Sequence, residues 1–260
     1  MALIDCNFYS DILGIDTTVK VILPERSQTK IGALGSLKKE KYPTLYLLHG
    51  LSDDHTAWTR KTSIERYVDG KGLAVVMPDV GRSFYTDMKF GGNYWTFISE
   101  ELPKKCREFF PLSEKREDNF VAGLSMGGYG AFKLALNCPE KFKAAASLSG
   151  ALDLLGEAKN SSIDGMMEEM KTIFGSVGEI EKSINDLFYV AKKLSNSNTE
   201  TPYLYQWCGT EDFLHNGNLN FKKFIEEETR IKLSYSESHG DHKWCYWDEQ
   251  IQKVIKDFGF

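Results

Sequence analysis

The run Val121-Ala122-Gly123-Leu124-Ser125-Met126-Gly127-Gly128-Tyr129-Gly130 constrains this chain more than any other stretch. A serine stands between glycines two positions to either side, the Gly-x-Ser-x-Gly pattern of a sharp strand-to-helix turn. Such a turn needs glycine because the two backbones pass too close for a Cβ. The flanks agree: Asn119-Phe120-Val121-Ala122 reads as a buried strand, and Ala131-Phe132-Lys133-Leu134-Ala135-Leu136 as a helix with one broad apolar face. Ser125 is therefore expected at a helix N-terminus, where the Met126 N–H is free to donate and the dipole favours negative charge. A glycine-rich turn with an incidental serine would give the same string, so the reading depends on what else the chain supplies.

Other apolar segments supply a sheet. Asn7–Ser10 and Thr17–Leu23, separated by Gly14, read as an antiparallel hairpin. Thr44–Leu48, Leu73–Pro78, Ala144–Gly150 and Tyr203–Gly209 are continuous runs suited to strands buried on both faces of a parallel sheet, and Ile231–Tyr235 is the last strand. Helices are expected over 62–70, from about Tyr94 to Phe110 with Pro111 marking the end, over 219–228, and from about Trp244 to Phe258. A polar loop runs from about Gln28 to Lys41. Strands alternating with helices predict an α/β chain, one domain over 1–260, with a mostly parallel central sheet and helices on both faces. Residues 151–201 break this rhythm. Met166, Met167, Met170, Ile173 and Phe174 sit there at helical spacing, predicting an insertion that either caps a pocket or packs as an ordinary helix.

Charge and cysteine usage narrow the function classes. A formal net charge of -5, with no run of Lys and Arg, argues against a nucleic-acid partner. The start Met1-Ala2-Leu3-Ile4-Asp5-Cys6 lacks the pattern of a signal peptide and no segment is long enough to span a bilayer, so a cytoplasmic chain without a membrane partner is expected. Cys6, Cys106, Cys138, Cys208 and Cys245 show no CxxC spacing and read as reduced thiols, with no metal site and no cofactor implied. The oligomeric state stays open, a homo-oligomer included.

A serine hydroxyl is a poor nucleophile until a base takes its proton, and an imidazole base needs a carboxylate to orient it. Of the five histidines, His49 reads as fixing a turn, and His55 and His215 lie in polar loops. His239 and His242 follow the last strand in Ser238-His239-Gly240-Asp241-His242-Lys243-Trp244, and His242 is preferred because it sits at the turn into the final helix. The acid belongs on a loop after a preceding strand. Asp212 meets that condition, with Glu211 and Asp153 as weaker candidates. The order Ser125, Asp212, His242 is the nucleophile-acid-base order of α/β-hydrolases. An oxyanion needs two donors, expected to be the Met126 and Leu51 N–H groups. Trp58, Phe84, Tyr85 and Trp95 are candidates for a substrate-pocket wall, and equally for core.

His49-Gly50-Leu51 followed by Trp58, the Ser125 run, and Gly240-Asp241-His242-Lys243-Trp244 with Trp247 together resemble the esterase D family. Tyr85-Thr86-Asp87 and Glu100-Glu101-Leu102-Pro103 are similar to its bacterial tributyrin-esterase branch. Wider relatives include S-formylglutathione hydrolases, feruloyl and acetylxylan esterases, and mycolyltransferases. The resemblance implies an α/β-hydrolase without metal or cofactor, using Ser125, Asp212 and His242 with the Leu51 and Met126 amides on a small-molecule ester. The expected activity is a carboxylesterase for short acyl chains. The alternatives are a thioesterase for S-formylglutathione, a carbohydrate acetyl or feruloyl esterase, or a hydrolase fold used only for binding.

Overall fold

The structure, a computed structural model, describes residues 1–25, 40–156 and 166–260, with the side chains of Met166 and Met167 outside that description. Most of the polar loop expected from Gln28 to Lys41 also lies outside the described residues. Eight strands form one sheet in the order β1-β2-β4-β3-β5-β6-β7-β8. They are β1 (Ala2–Ser10), β2 (Ile15–Leu23), β3 (Thr44–Leu48), β4 (Ala74–Pro78), β5 (Asn119–Leu124), β6 (Ala144–Leu148), β7 (Tyr203–Gly209) and β8 (Leu233–Ser238). β1 and β2 form the expected antiparallel hairpin, β2 pairs antiparallel with β4, and the remaining pairs are parallel. Every residue of β3, β4, β5 and β6 is buried, which is why these strands read as unbroken apolar runs.

Register brings the chemistry to one edge. Leu48 pairs with Gly123, Leu124 with Leu148, Leu148 with Trp207, and Gly209 with Ser238. The C-terminal ends of β3, β5, β6, β7 and β8 are therefore level, and the loops leaving them share one rim, where open α/β sheets bind ligands.

Helices cover both faces. On one, Trp244–Asp257 buries Trp247, Ile251, Val254 and Ile255. On the other lie Met126–Asn137, Leu187–Ser195 and His215–Glu228, with Phe132 and Phe221 in ring contact. The helical run expected from Tyr94 ends at Phe109 but contains a π-helical turn, Phe97–Glu101. Pro103 has no N–H to continue the regular ladder, and the Ser99 carbonyl instead accepts the Lys141 ammonium at 3.0 Å. Within the insertion, Met166–Phe174 buries Ile173 and Phe174, a capped turn follows over Val177–Ile180, and Asp186 caps Leu187–Ser195 through the Tyr189 N–H at 3.1 Å.

Candidate active site

Ser125 follows β5 with φ 52° and ψ -121°, and Met126 opens the next helix. Such a conformation costs a non-glycine residue about 1–3 kcal/mol, so the surroundings have to impose it. They do so through close backbone packing. A Cβ on Gly123 would run into the Gly127 carbonyl, and one on Gly127 would stand 2.5 Å from the Leu48 oxygen and 2.6 Å from that of His49. The Ser125 N–H donates to Leu148 O at 2.9 Å, carrying the β5–β6 ladder one residue past the strand.

His242 meets this serine. The Ser125 hydroxyl donates to His242 Nε2 at 3.0 Å, and His242 Nδ1–H donates to Asp212 Oδ2 at 2.8 Å, with Oδ1 at 3.0 Å. The carboxylate accepts at Nδ1, which leaves Nε2 as the acceptor that faces the hydroxyl. The Asp212 side chain is fully buried and that of His242 one-fifth exposed. Burial pushes the Asp212 carboxyl up, but bonds and charge from His242, the Leu214 N–H and the Ser149 hydroxyl outweigh it and hold the group below its ordinary value. A carboxylate so held stays ionised and can stabilise a charge arriving on the imidazole.

The other carboxylates take other positions. Glu211 Oε2 accepts the Gly240 N–H at 2.6 Å, and its own N–H donates to Gly240 O at 3.0 Å. His239, the other candidate base, pairs with Glu211 at 3.1 Å and is 83% exposed, outside the cluster. Asp153 accepts from the Gly156 N–H and from Asn220.

The loop after β3 approaches Ser125, since a Cβ on Gly50 would stand 3.8 Å from that of the serine. His49 is buried, and burial pushes its pKa down. Its Nε2 accepts the Val80 N–H at 3.1 Å, so Nδ1 carries the proton and donates to Gly50 O at 2.8 Å. Asp53 N–H donates to the same oxygen at 3.1 Å. These two donors fix the Gly50–Leu51 peptide plane, and with it the direction of the Leu51 N–H. The Met126 N–H, in the first helical turn, has no partner within its own helix.

Two of the aromatic residues read as candidates for a pocket wall or for core lie in the core. Trp58 is buried, donating from Nε1 to Leu48 O at 3.0 Å, and Tyr85 is buried, donating from its hydroxyl to His49 O at 2.9 Å. Their polar atoms hold the end of β3 and the residue after it, and neither ring is exposed. Trp95 is half-buried and lies 4.9 Å beneath the Lys133 ammonium. Lys133 is wholly buried and donates to Tyr85 O and Thr86 Oγ1 at 2.9 and 2.8 Å.

Sequence reasoning missed three residues at the site. Phe213, 70% exposed, holds its ring 4.5 Å from that of His242. Trp247 packs edge-on against the other side of the imidazole at 4.8 Å and donates from Nε1 to Ser149 Oγ at 3.2 Å. Ser149, buried and at φ 49°, thus meets Trp247, and its hydroxyl helps lower the Asp212 carboxyl. Trp247 stood in the motif with His242 and Phe213 directly after Asp212, but neither position signalled a ring beside the imidazole. Among the described residues, no group of His, Cys, Asp and Glu is arranged to hold a metal ion, and no helix is long and apolar enough to cross a membrane.

The Esterase family model matches residues 10–258. An acetyl esterase of Caldicellulosiruptor saccharolyticus is 32% identical over 262 residues, covering 98% of this chain and 97% of its own. A fluorophosphonate-binding serine hydrolase of Staphylococcus aureus superposes with a TM-score of 0.86 at 34% identity, covering 99% of this chain and 98% of that one. An S-formylglutathione hydrolase of the same organism gives 0.85 at 35% identity, with the same coverage. A strained serine at the rim of a mostly parallel sheet and these likenesses lead to one conclusion: the chain belongs to the Esterase family and is a carboxylic ester hydrolase of the α/β-hydrolase fold.

Proposed function

We propose that Ser125 is the nucleophile, His242 the general base and acid, and Asp212 the residue that orients it, in a carboxylesterase of the tributyrin-esterase branch acting on short acyl esters. The observation that carries this reading is the continuous path from Ser125 Oγ to His242 Nε2 and from Nδ1 to Asp212, at 3.0 and 2.8 Å. Ser125 Oγ attacks the ester carbonyl while Nε2 takes its proton. The carbonyl oxygen becomes an oxyanion facing the Leu51 and Met126 N–H groups. Collapse of that intermediate breaks the bond to the alcohol, which leaves with the proton from Nε2, and Ser125 keeps the acyl group. Water, deprotonated by the same imidazole, then releases the acid. Losing one oxyanion donor costs about 2.7–4 kcal/mol of transition-state stabilisation in enzymes of this chemistry.

The leaving group is open to two readings, because the relatives include both an acetyl esterase and an S-formylglutathione hydrolase. The exposed Phe213 ring beside the imidazole supports a leaving group with an apolar part. We further propose a single domain working in the cytoplasm without a cofactor. The test is a panel of p-nitrophenyl acetate, butyrate and octanoate, methyl ferulate, acetylated xylo-oligosaccharide and S-formylglutathione. Highest kcat/KM on acetate or butyrate supports the reading, and highest kcat/KM on S-formylglutathione replaces it with the thioesterase.

A further inference from the structure

Arg82 stands between the insertion and the loop that carries Leu51. Its Nη1 donates to the Leu51 carbonyl at 3.3 Å, while Nε and Nη2 donate to the two oxygens of Glu169, the latter at 2.7 Å. Glu169 belongs to the helix Met166–Phe174. One guanidinium therefore links the insertion to the residue whose N–H is the proposed oxyanion donor.

The link is rigid at both ends. The helix is tied to the loop after β4 by the Lys89 N–H on Ile173 O at 2.8 Å and the Phe90 N–H on Thr172 O at 3.0 Å, and the Lys89 ammonium reaches Glu179 of the following turn at 2.7 Å. The Phe84 ring packs edge-on against Phe174 at 5.7 Å. At the other end, His49 and Asp53 hold the Gly50 carbonyl, on the N-terminal side of Leu51, while Arg82 holds the carbonyl on its C-terminal side. A two-point pairing with a carboxylate fixes the plane of the guanidinium as well as its distance, which a lysine in its place would not do. The Arg82 side chain is 53% exposed, so the pair adds little to stability. Its geometry bears on rate instead, because an oxyanion donor works only where it lies within hydrogen-bond distance of the place the charge develops.

We propose that Arg82 is a positioning residue for the oxyanion pocket and that Glu169 locks it, so that the insertion sets the turnover rate without touching the substrate. This rests on the reading of Ser125 as an esterase nucleophile.

The experiment compares the unaltered protein with Arg82→Gln, Glu169→Gln, the double variant and Glu168→Gln, which removes the exposed Lys171 pair of the same helix. It reads kcat and KM for p-nitrophenyl butyrate, thermal midpoints, and fluorophosphonate labelling of Ser125. Each of the two single variants is expected to lower kcat about fivefold, the size of one lost hydrogen bond, with KM within about twofold and the thermal midpoint unchanged. The double variant should be no slower than Arg82→Gln alone, and Glu168→Gln should match the unaltered protein. Unchanged kcat in Arg82→Gln, or single effects that multiply in the double variant, would overturn the proposal while Ser125 still labels. Failure of Ser125 to label in the unaltered protein would overturn the esterase reading, and this role with it.

Discussion

Glu211 holds both backbone polar groups of Gly240: the carboxylate accepts the Gly240 N–H at 2.6 Å and the Glu211 N–H donates to the Gly240 carbonyl at 3.0 Å. The loop that carries Asp212 therefore also holds the loop that carries His242. Gly209 and Gly240 pack so closely that a Cβ on Gly209 would collide with the Gly240 carbonyl. Removing the carboxylate leaves one of the two bonds. Glu211→Ala should lower kcat about fivefold with KM little changed, and Glu211→Gln, which keeps an oxygen acceptor, should recover most of the loss. Steady-state kinetics on p-nitrophenyl butyrate check both.

Ser149 and Trp247 support the acid and base from beneath. Ser149→Ala removes the acceptor of the Trp247 indole N–H and a hydroxyl that helps hold the Asp212 carboxyl down. A fall in kcat of about five- to tenfold is expected, with a folded protein by circular dichroism, because the carboxylate keeps its bonds to His242 and Leu214. Trp247→Phe, which keeps a ring against the imidazole but loses the N–H, should show a smaller fall.

Acid should stop the enzyme before it unfolds it. A protonated imidazole cannot accept the serine proton, so kcat/KM is expected to fall on the acid side. Hydrogen bonds from Gly240 and then His239 pull the Glu211 carboxyl down to about 2, and Asp212 is also held below its ordinary value. Groups lowered on folding contribute stability in full above their unfolded values, near 4, and lose it only as pH falls through the folded ones. Enzyme held at pH 5 should therefore show native circular dichroism and return to full activity at neutral pH.

Lys133 predicts a slope of the same sign at alkaline pH. Burial holds its ammonium well below the ordinary lysine value, with the charge of Asp87 opposing the shift. The folded chain then loses this proton before the unfolded chain does, so the group's contribution to stability rises with pH up to about 10.4. Raised thiol values act against it, so the informative quantity is a difference between two proteins. Urea midpoints from pH 7 to about 9.5 should climb more for the unaltered chain than for Lys133→Met.

The elbow glycines test the packing directly. A methyl on Gly127 would meet the backbone oxygens of Leu48 and His49 at 2.5 and 2.6 Å, and neither strand end can retreat without breaking the sheet. Gly127→Ala should cost about 1–3 kcal/mol or more, read as a lowered thermal midpoint, with activity lost alongside.

Much of this molecule was legible because its signals are local. The buried strands are unbroken apolar runs, the elbow declares itself in ten residues, and Asp212 and His242 follow strands in the expected order. Boundaries slipped where partners decided them. The last strand was expected over Ile231–Tyr235, but pairing of Leu204 with Leu233 through Gly209 with Ser238 carries it to Ser238. The helix expected from Leu219 starts at His215, hidden by its polar first turn. Trp58 and Tyr85 looked like candidates for a pocket wall, and the backbone oxygens that hold them inside belong to residues 10 and 36 positions away. The link from Arg82 to Glu169 joins residues 87 apart and has no trace in either neighbourhood.

The most direct test of the account is ester turnover by Ser125→Ala, with the thermal midpoint confirming that it is folded. The hydroxyl is the one atom whose loss removes the covalent route while leaving Asp212, His242 and both amides in place. The account predicts a fall in kcat on p-nitrophenyl butyrate of at least about a thousandfold. Turnover within tenfold of the unaltered protein would contradict it.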